Sequence, residues 1–134
     1  MSDRDLDEEL EAIRTYSKQV YGQVLEPFEL LGRYRPDVLV DWMKLRKGIF
    51  ESQNEKGGLS LREIELISIA VEIIGKKPNP DRHVMRAIEA GATVQQVADV
   101  VSVCIVLGGM MSYMVSGQNA LKVAENHAKK LGKS

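Results

Sequence analysis

Two side chains in this sequence have the type and the setting for proton transfer. His83 stands in the first turn of a helix that Pro80 opens, on a flank shared with the small residues Ala87 and Ala90. Small neighbours leave room for a ligand, and imidazole is the side chain that gains and loses a proton near neutral pH. The alternative is a partly exposed histidine bonded to backbone. Glu65 lies on a helix that is otherwise apolar, where a carboxylate can act as an acid or a base; the alternative is a solvated stripe or an ion pair with a nearby arginine. Glu72 shares that stripe and reads as a solvated charge. Lys76, Lys77 and Arg82 bracket His83 and can attract an anion, helped by the positive potential of a helix start. The alternative for them is ordinary loop charge.

The remaining chemistry-bearing residues have structural readings. Cys104 sits among Val101, Val103, Ile105 and Val106, so it reads as a buried structural thiol. As the single cysteine it allows no intrachain disulfide and no cysteine-rich zinc site. No cluster of histidine, cysteine and carboxylate has metal-ligand spacing, so no metal is expected. Met110, Met111, Tyr113 and Met114 suit core or interface packing, or an adaptable apolar pocket. His127 stands between charged residues and reads as solvated. Gly108-Gly109 is not a phosphate loop, because no strand precedes it and no Lys-Ser/Thr follows.

The elements that must position these residues are helices. Asp3 to about Val20 reads as a charged amphipathic helix, with Leu6, Leu10, Ile13 and Val20 on its apolar side. Pro27 suits the first turn of a short helix closing near Gly32, and Pro36 opens another through Phe50. The polar stretch Gln53 to Gly58 reads as a loop. Ser60 and Glu63 form a capping box that starts a helix running to Ile74, with Gly75 ending it. Asn79 is placed as the N-cap of the next helix, which ends at Gly91. Thr93 and Gln96 form a second capping box ahead of Val94 to Leu107, and a last helix runs from about Met111 to Leu131. Alternating strand patterns are absent, so the fold expected is all-α, with about six to seven helices.

Along the helix from Leu61 to Ile74, Leu61, Glu65, Ser68 and Glu72 make one narrow polar stripe. Ile64, Leu66, Ile67, Ile69, Ala70, Val71, Ile73 and Ile74 cover most of the remainder. A helix this apolar needs cover on several sides. One small subunit supplies too little, which predicts a homo-oligomer.

Length and charge bound the rest. The chain has 134 residues, the size of one domain. Its 18 basic and 19 acidic residues give a formal net charge of −1, with no electrostatic footprint for nucleic acid or an anionic membrane. The charges at the acidic start and the basic end read as solvated helix ends. No apolar run approaches the roughly 20 residues that span a bilayer, and no secretory signal is apparent, so a cytoplasmic protein is expected.

The run Leu59-Ser-Leu-Arg-Glu-Ile-Glu-Leu-Ile-Ser-Ile-Ala-Val71 resembles the helix that opens the core of the carboxymuconolactone decarboxylase and alkyl hydroperoxidase D-like family. The resemblance continues through Gly75, His83, Ala87, Glu89-Ala-Gly-Ala-Thr93, Val97 to Val106 and Gly108-Gly109. It implies a single domain over 1–134 holding one core repeat: a helical arm over 1–52, the core over 57–122, and the last helix end and tail over 123–134. It also implies trimers or hexamers. In the thiol-dependent branch a cysteine pair separated by two residues precedes the histidine. Those positions here hold Lys76 and Asn79, which can neither attack nor resolve a disulfide. The relay glutamate of that branch falls at Glu65, with one residue fewer before Gly75.

The histidine eight residues after Gly75 instead resembles the cysteine-free decarboxylase branch, which works without a cofactor. The function this implies is a lyase acting on a small organic acid or lactone. His83 and Glu65 are its expected catalytic residues, and Lys76, Asn79 and Arg82 bind the substrate carboxylate. The rival expectation is a non-catalytic helical oligomer that binds a small molecule or a partner. Hydroperoxide reduction is a third, disfavoured by the missing cysteines. With His83 on a flank, its removal is expected to disturb the fold only modestly.

Overall fold

The computed structural model describes residues 2–51 and 57–133. Most of the expected loop Gln53 to Gly58 lies outside them. All elements among the described residues are helical, as the sequence predicts. The chain divides into two compact units, Met1–Ser52 and Gln53–Ser134.

The first unit holds α1 (Asp3–Tyr21), α2 (Glu26–Tyr34) and α3 (Pro36–Phe50). Ser2 and Asp5 cap α1 reciprocally, and Gly22 ends it in the left-handed region. Pro27 sits at the start of α2, where its missing N–H costs no hydrogen bond. Ile13, Leu39, Val40 and Met43 form the core of this unit, with Leu6, Leu10, Tyr16 and Phe28 packed against it.

The second unit holds α4 (Leu61–Ile74), α5 (Asp81–Glu89), α6 (Val94–Gly108), the single turn α7 (Met110–Ser112) and α8 (Gln118–Lys130). A π-helical segment, Tyr113–Gly117, joins α7 to α8, where the sequence predicts one regular helix. Both predicted capping boxes form, Ser60 with Glu63 and Thr93 with Gln96. Helix α5 packs between α4 and α8, and α6 also packs on both. The small residues Ala120, Ala124 and Ala128 make the buried edge of α8 and let α5 and α6 approach closely. They meet Ile69, Ile73, Val84, Ala87, Ile88, Val97, Val101 and Cys104 in one core.

Two boundaries differ from the sequence reading. Helix α4 ends through Lys76 rather than Gly75: Gly75 is right-handed at φ −71°, and Lys76 takes the left-handed position at φ 55°. The amides of Lys76 and Lys77 donate to the carbonyls of Ile73 and Glu72, which closes the helix by a Schellman pattern without the customary glycine. Helix α5 begins one residue late, with Pro80 as its N-cap and Asp81 as its first residue. Asn79 is therefore released from capping.

Candidate active site

The site is built on α4 and α5. Within the polar stripe of α4, Glu65 is only 1 % exposed and shares the buried edge with Ile69 and Ile73, whereas Leu61 is exposed. A carboxylate in that position needs a partner, because an unpaired buried charge is costly. His83 supplies it from the first turn of α5: its Nδ1 lies 2.6 Å from Glu65 Oε2. An ionised carboxylate only accepts, so Nδ1 carries a hydrogen and donates it whenever Glu65 is charged. The pair thereby fixes the ring, with Nε2 on the opposite side. The His83 side chain is 22 % exposed, so the imidazole bridges the interior and the surface.

Glu72 lies two turns beyond Glu65 on the same edge. It is 17 % exposed, not the solvated charge the sequence suggests. Its Oε1 lies 3.8 Å from His83 Nε2 and 3.4 Å from Lys77 Nζ. Glu72, Asn79, Asp81, Arg82, His83 and Met85 line a cleft of about 510 Å³ that opens to solvent. That volume suits a small molecule.

Of the residues singled out from sequence, Asn79, Arg82 and His83 meet in the cleft, and Glu65 lies beneath His83. Lys76 is exposed and is not part of the lining. Its left-handed backbone is what the helix end requires of it. Asn119 was not foreseen. Its Nδ2 donates to the Pro78 carbonyl (3.3 Å) and to Asp81 Oδ1 (3.1 Å), tying the start of α8 to the connection that carries Asn79 and Arg82. No local pattern marks this contact, which joins residues 38 and 41 positions apart. His127 is also corrected: its Nε2 lies 2.9 Å from Glu89 Oε1, and its side chain is mostly covered.

Cys104 is buried as expected, and its Sγ lies 3.7 Å from the Ala70 carbonyl oxygen. Burial pushes its thiol pKa up, which disfavours the thiolate that attack on a peroxide needs. No group of three or more histidine, cysteine or carboxylate side chains among the described residues could hold a metal ion. No helix among them is long and apolar enough to cross a membrane.

The outer edge of α4 is the opposite of its inner one. Ile67, Val71 and Ile74 are exposed there, Val71 by 66 %. The C-terminal end of α6 exposes Val103, Val106 and Leu107, and Met110, Met111 and Met114 follow after Gly109. Ile74 and Gly108 abut so closely that a Cβ at Gly108 would come within 2.3 Å of Ile74 Cδ1. The exposed residues of α4 and α6 therefore adjoin.

Comparison with known proteins agrees with this architecture. The model of the carboxymuconolactone decarboxylase family matches residues 36–126. A crystal structure at 1.65 Å resolution of a Burkholderia xenovorans LB400 protein, provisionally assigned as a carboxymuconolactone decarboxylase, superposes with a TM-score of 0.80. The alignment covers 95 % of this chain and 96 % of that one at 21 % identity, a likeness of fold. No curated protein sequence matches.

Proposed function

Because this chain belongs to the carboxymuconolactone decarboxylase family, we propose that it is a cofactor-independent lyase acting on a small organic acid or lactone at the His83 cleft. The observation that carries the proposal is the 2.6 Å bond between His83 Nδ1 and the buried Glu65 carboxylate. It presents an oriented imidazole to a cleft of substrate size. Arg82 and Asn79 seat the substrate carboxylate, and Lys76 draws anions toward the mouth.

In a decarboxylation the bond between the carboxylate and the ring carbon breaks, and carbon dioxide leaves. The electron pair moves into a conjugated lactone carbonyl. His83 then delivers the proton on Nε2 to carbon, while Glu65 holds Nδ1–H and balances the imidazolium. A proton from water restores Nε2. No step calls for a metal or an organic cofactor. Groups placed this way typically contribute 10²–10⁴-fold to rate.

The apolar face of α4 and α6 supports a homo-oligomer, a trimer or hexamer, as the working form in the cytoplasm. The arm over 1–52 and the core over 57–122 act as parts of one domain in this reading. A non-catalytic oligomer that binds a small molecule would use the same face and cleft, but would turn nothing over. Thiol-dependent peroxide reduction has no support, since the lone thiol is buried and lacks a resolving partner.

The first test is a thermal-shift screen of γ-lactone acids and small carboxylates. A ligand at 100 times its dissociation constant stabilises the fold by about 2.7 kcal/mol. The proposal expects such a shift for wild type and a weaker one for Arg82→Ala. A screen without a single stabilising acid or lactone would reject it.

A further inference from the structure

The stripe of α4 carries a second carboxylate that the mechanism above leaves idle. Residues 65 and 72 are seven positions apart, close to two full turns, so both project toward α5. His83 lies between them, with Nδ1 at Glu65 and Nε2 facing Glu72 Oε1 at 3.8 Å. That separation is too long for a direct hydrogen bond. It suits a third atom that touches both groups at once, and His83 and Glu72 both line the cleft where such an atom would sit. The Lys77–Glu72 ion pair is an insufficient reason for the carboxylate, because Lys77 is mostly exposed and such pairs contribute little to stability.

We infer that Glu72 is a further catalytic residue, forming with His83 Nε2 a two-point seat for a proton in transit, which extends the site to carbon acids activated by a neighbouring carbonyl. This rests on the reading of the His83 cleft as catalytic. The step balances without a co-reactant. Nε2 takes a proton from the carbon beside the carbonyl; the C–H bond breaks, the N–H bond forms, and the electron pair moves to the carbonyl oxygen as an enolate. The imidazolium then has a carboxylate at each nitrogen, Glu65 at Nδ1 and Glu72 at Nε2. Charge that develops between two fixed opposite charges lowers the barrier most when the groups are already in place. The same Glu72 oxygen lies 3.4 Å from Lys77 Nζ. Return of the proton to the same or another carbon regenerates His83, so the chemistry includes hydrogen exchange and double-bond migration as well as loss of carbon dioxide.

The test uses paraconate, a γ-lactone bearing a carboxylate, with deuterium oxide as solvent. Proton NMR follows exchange at the carbon beside the lactone carbonyl, and calorimetry gives paraconate affinity. Wild type should exchange that position. Glu72→Gln, which keeps shape and loses charge, should exchange at least about 10-fold more slowly, with affinity within about 2-fold. Glu72→Asp should fall between. His83→Gln, whose amide can still donate to Glu65, should not exchange detectably. Wild-type rates in Glu72→Gln beside loss in His83→Gln would overturn this inference and leave the proposed lyase intact. Paraconate bound by wild type without exchange would overturn this inference alone; the lyase reading falls only where no small acid or lactone binds.

Discussion

Helix α4 has two edges, and each holds residues that type alone would place elsewhere. The inner edge buries a glutamate; the outer edge exposes Ile67, Val71 and Ile74. Ile69 and Ile73 are fully buried on the inner edge, so the glutamate is the exception within it. Charge enters the interior only where a partner compensates it, as His83 does for Glu65. Large apolar side chains stay at the surface as a group where something else covers them. One helix thus carries a site on one side and, in our reading, a subunit interface on the other, and α5 and α6 are the elements that complete each.

The strongest way to break this comparison is to remove one member of the inner pair. His83→Ala should destabilise the fold by about 3–5 kcal/mol, because the Glu65 charge is then buried alone. This replaces the modest effect that the sequence suggests, since the burial of Glu65 is a tertiary fact. The double variant Glu65→Leu, His83→Ala should recover most of the loss, as replacing both partners by apolar groups is often neutral. Urea denaturation of the three proteins measures both effects. Equal stabilities would mean that Glu65 reaches water.

The outer edge is probed by charge. Leu107, 79 % exposed, becomes glutamate in Leu107→Glu. Juxtaposed like charges cost several kcal/mol at an interface. Light scattering at micromolar concentration should therefore show monomer for the variant and oligomer for wild type, with helical circular dichroism unchanged. A wild-type monomer would remove the outer edge from the account.

Smaller effects come from the end of α4 and from its neighbour α6. Lys76→Gly should stabilise by roughly 1 kcal/mol, since glycine takes the left-handed position without a Cβ penalty. Thermal unfolding would detect it. Cys104 should resist iodoacetamide in the folded protein even as pH rises toward 9, because burial raises its pKa and closes access. Mass spectrometry after labelling should find it modified only once the chain is denatured.

The helices were legible because their ends are written locally. Ser60 with Glu63, Thr93 with Gln96, and the prolines at 27 and 36 each act within a few residues. Which way α4 faces was not legible. Its periodicity separates a polar stripe from an apolar remainder but does not say that Glu65 joins Ile69 and Ile73 in the interior while Ile67, Val71 and Ile74 stay outside. That choice depends on α5 bringing His83 alongside, a partner 18 residues away. The π segment and the Asn119 contact were hidden for the same reason, and so was the Glu89 partner that covers His127. Asn79 was legible as polar and helix-proximal, yet the one-residue shift to a Pro80 cap turned it from a cap into part of the cleft.

The central claim is that the Glu65–His83 pair does chemistry. Its most direct test is carbon dioxide release from a γ-lactone acid conjugated with its ring carbonyl, such as 4-carboxymuconolactone, by wild type and by folded His83→Gln. The account predicts turnover by wild type and a loss of 10²–10⁴-fold in the variant. Equal rates for the two proteins, or no release by wild type, would contradict it.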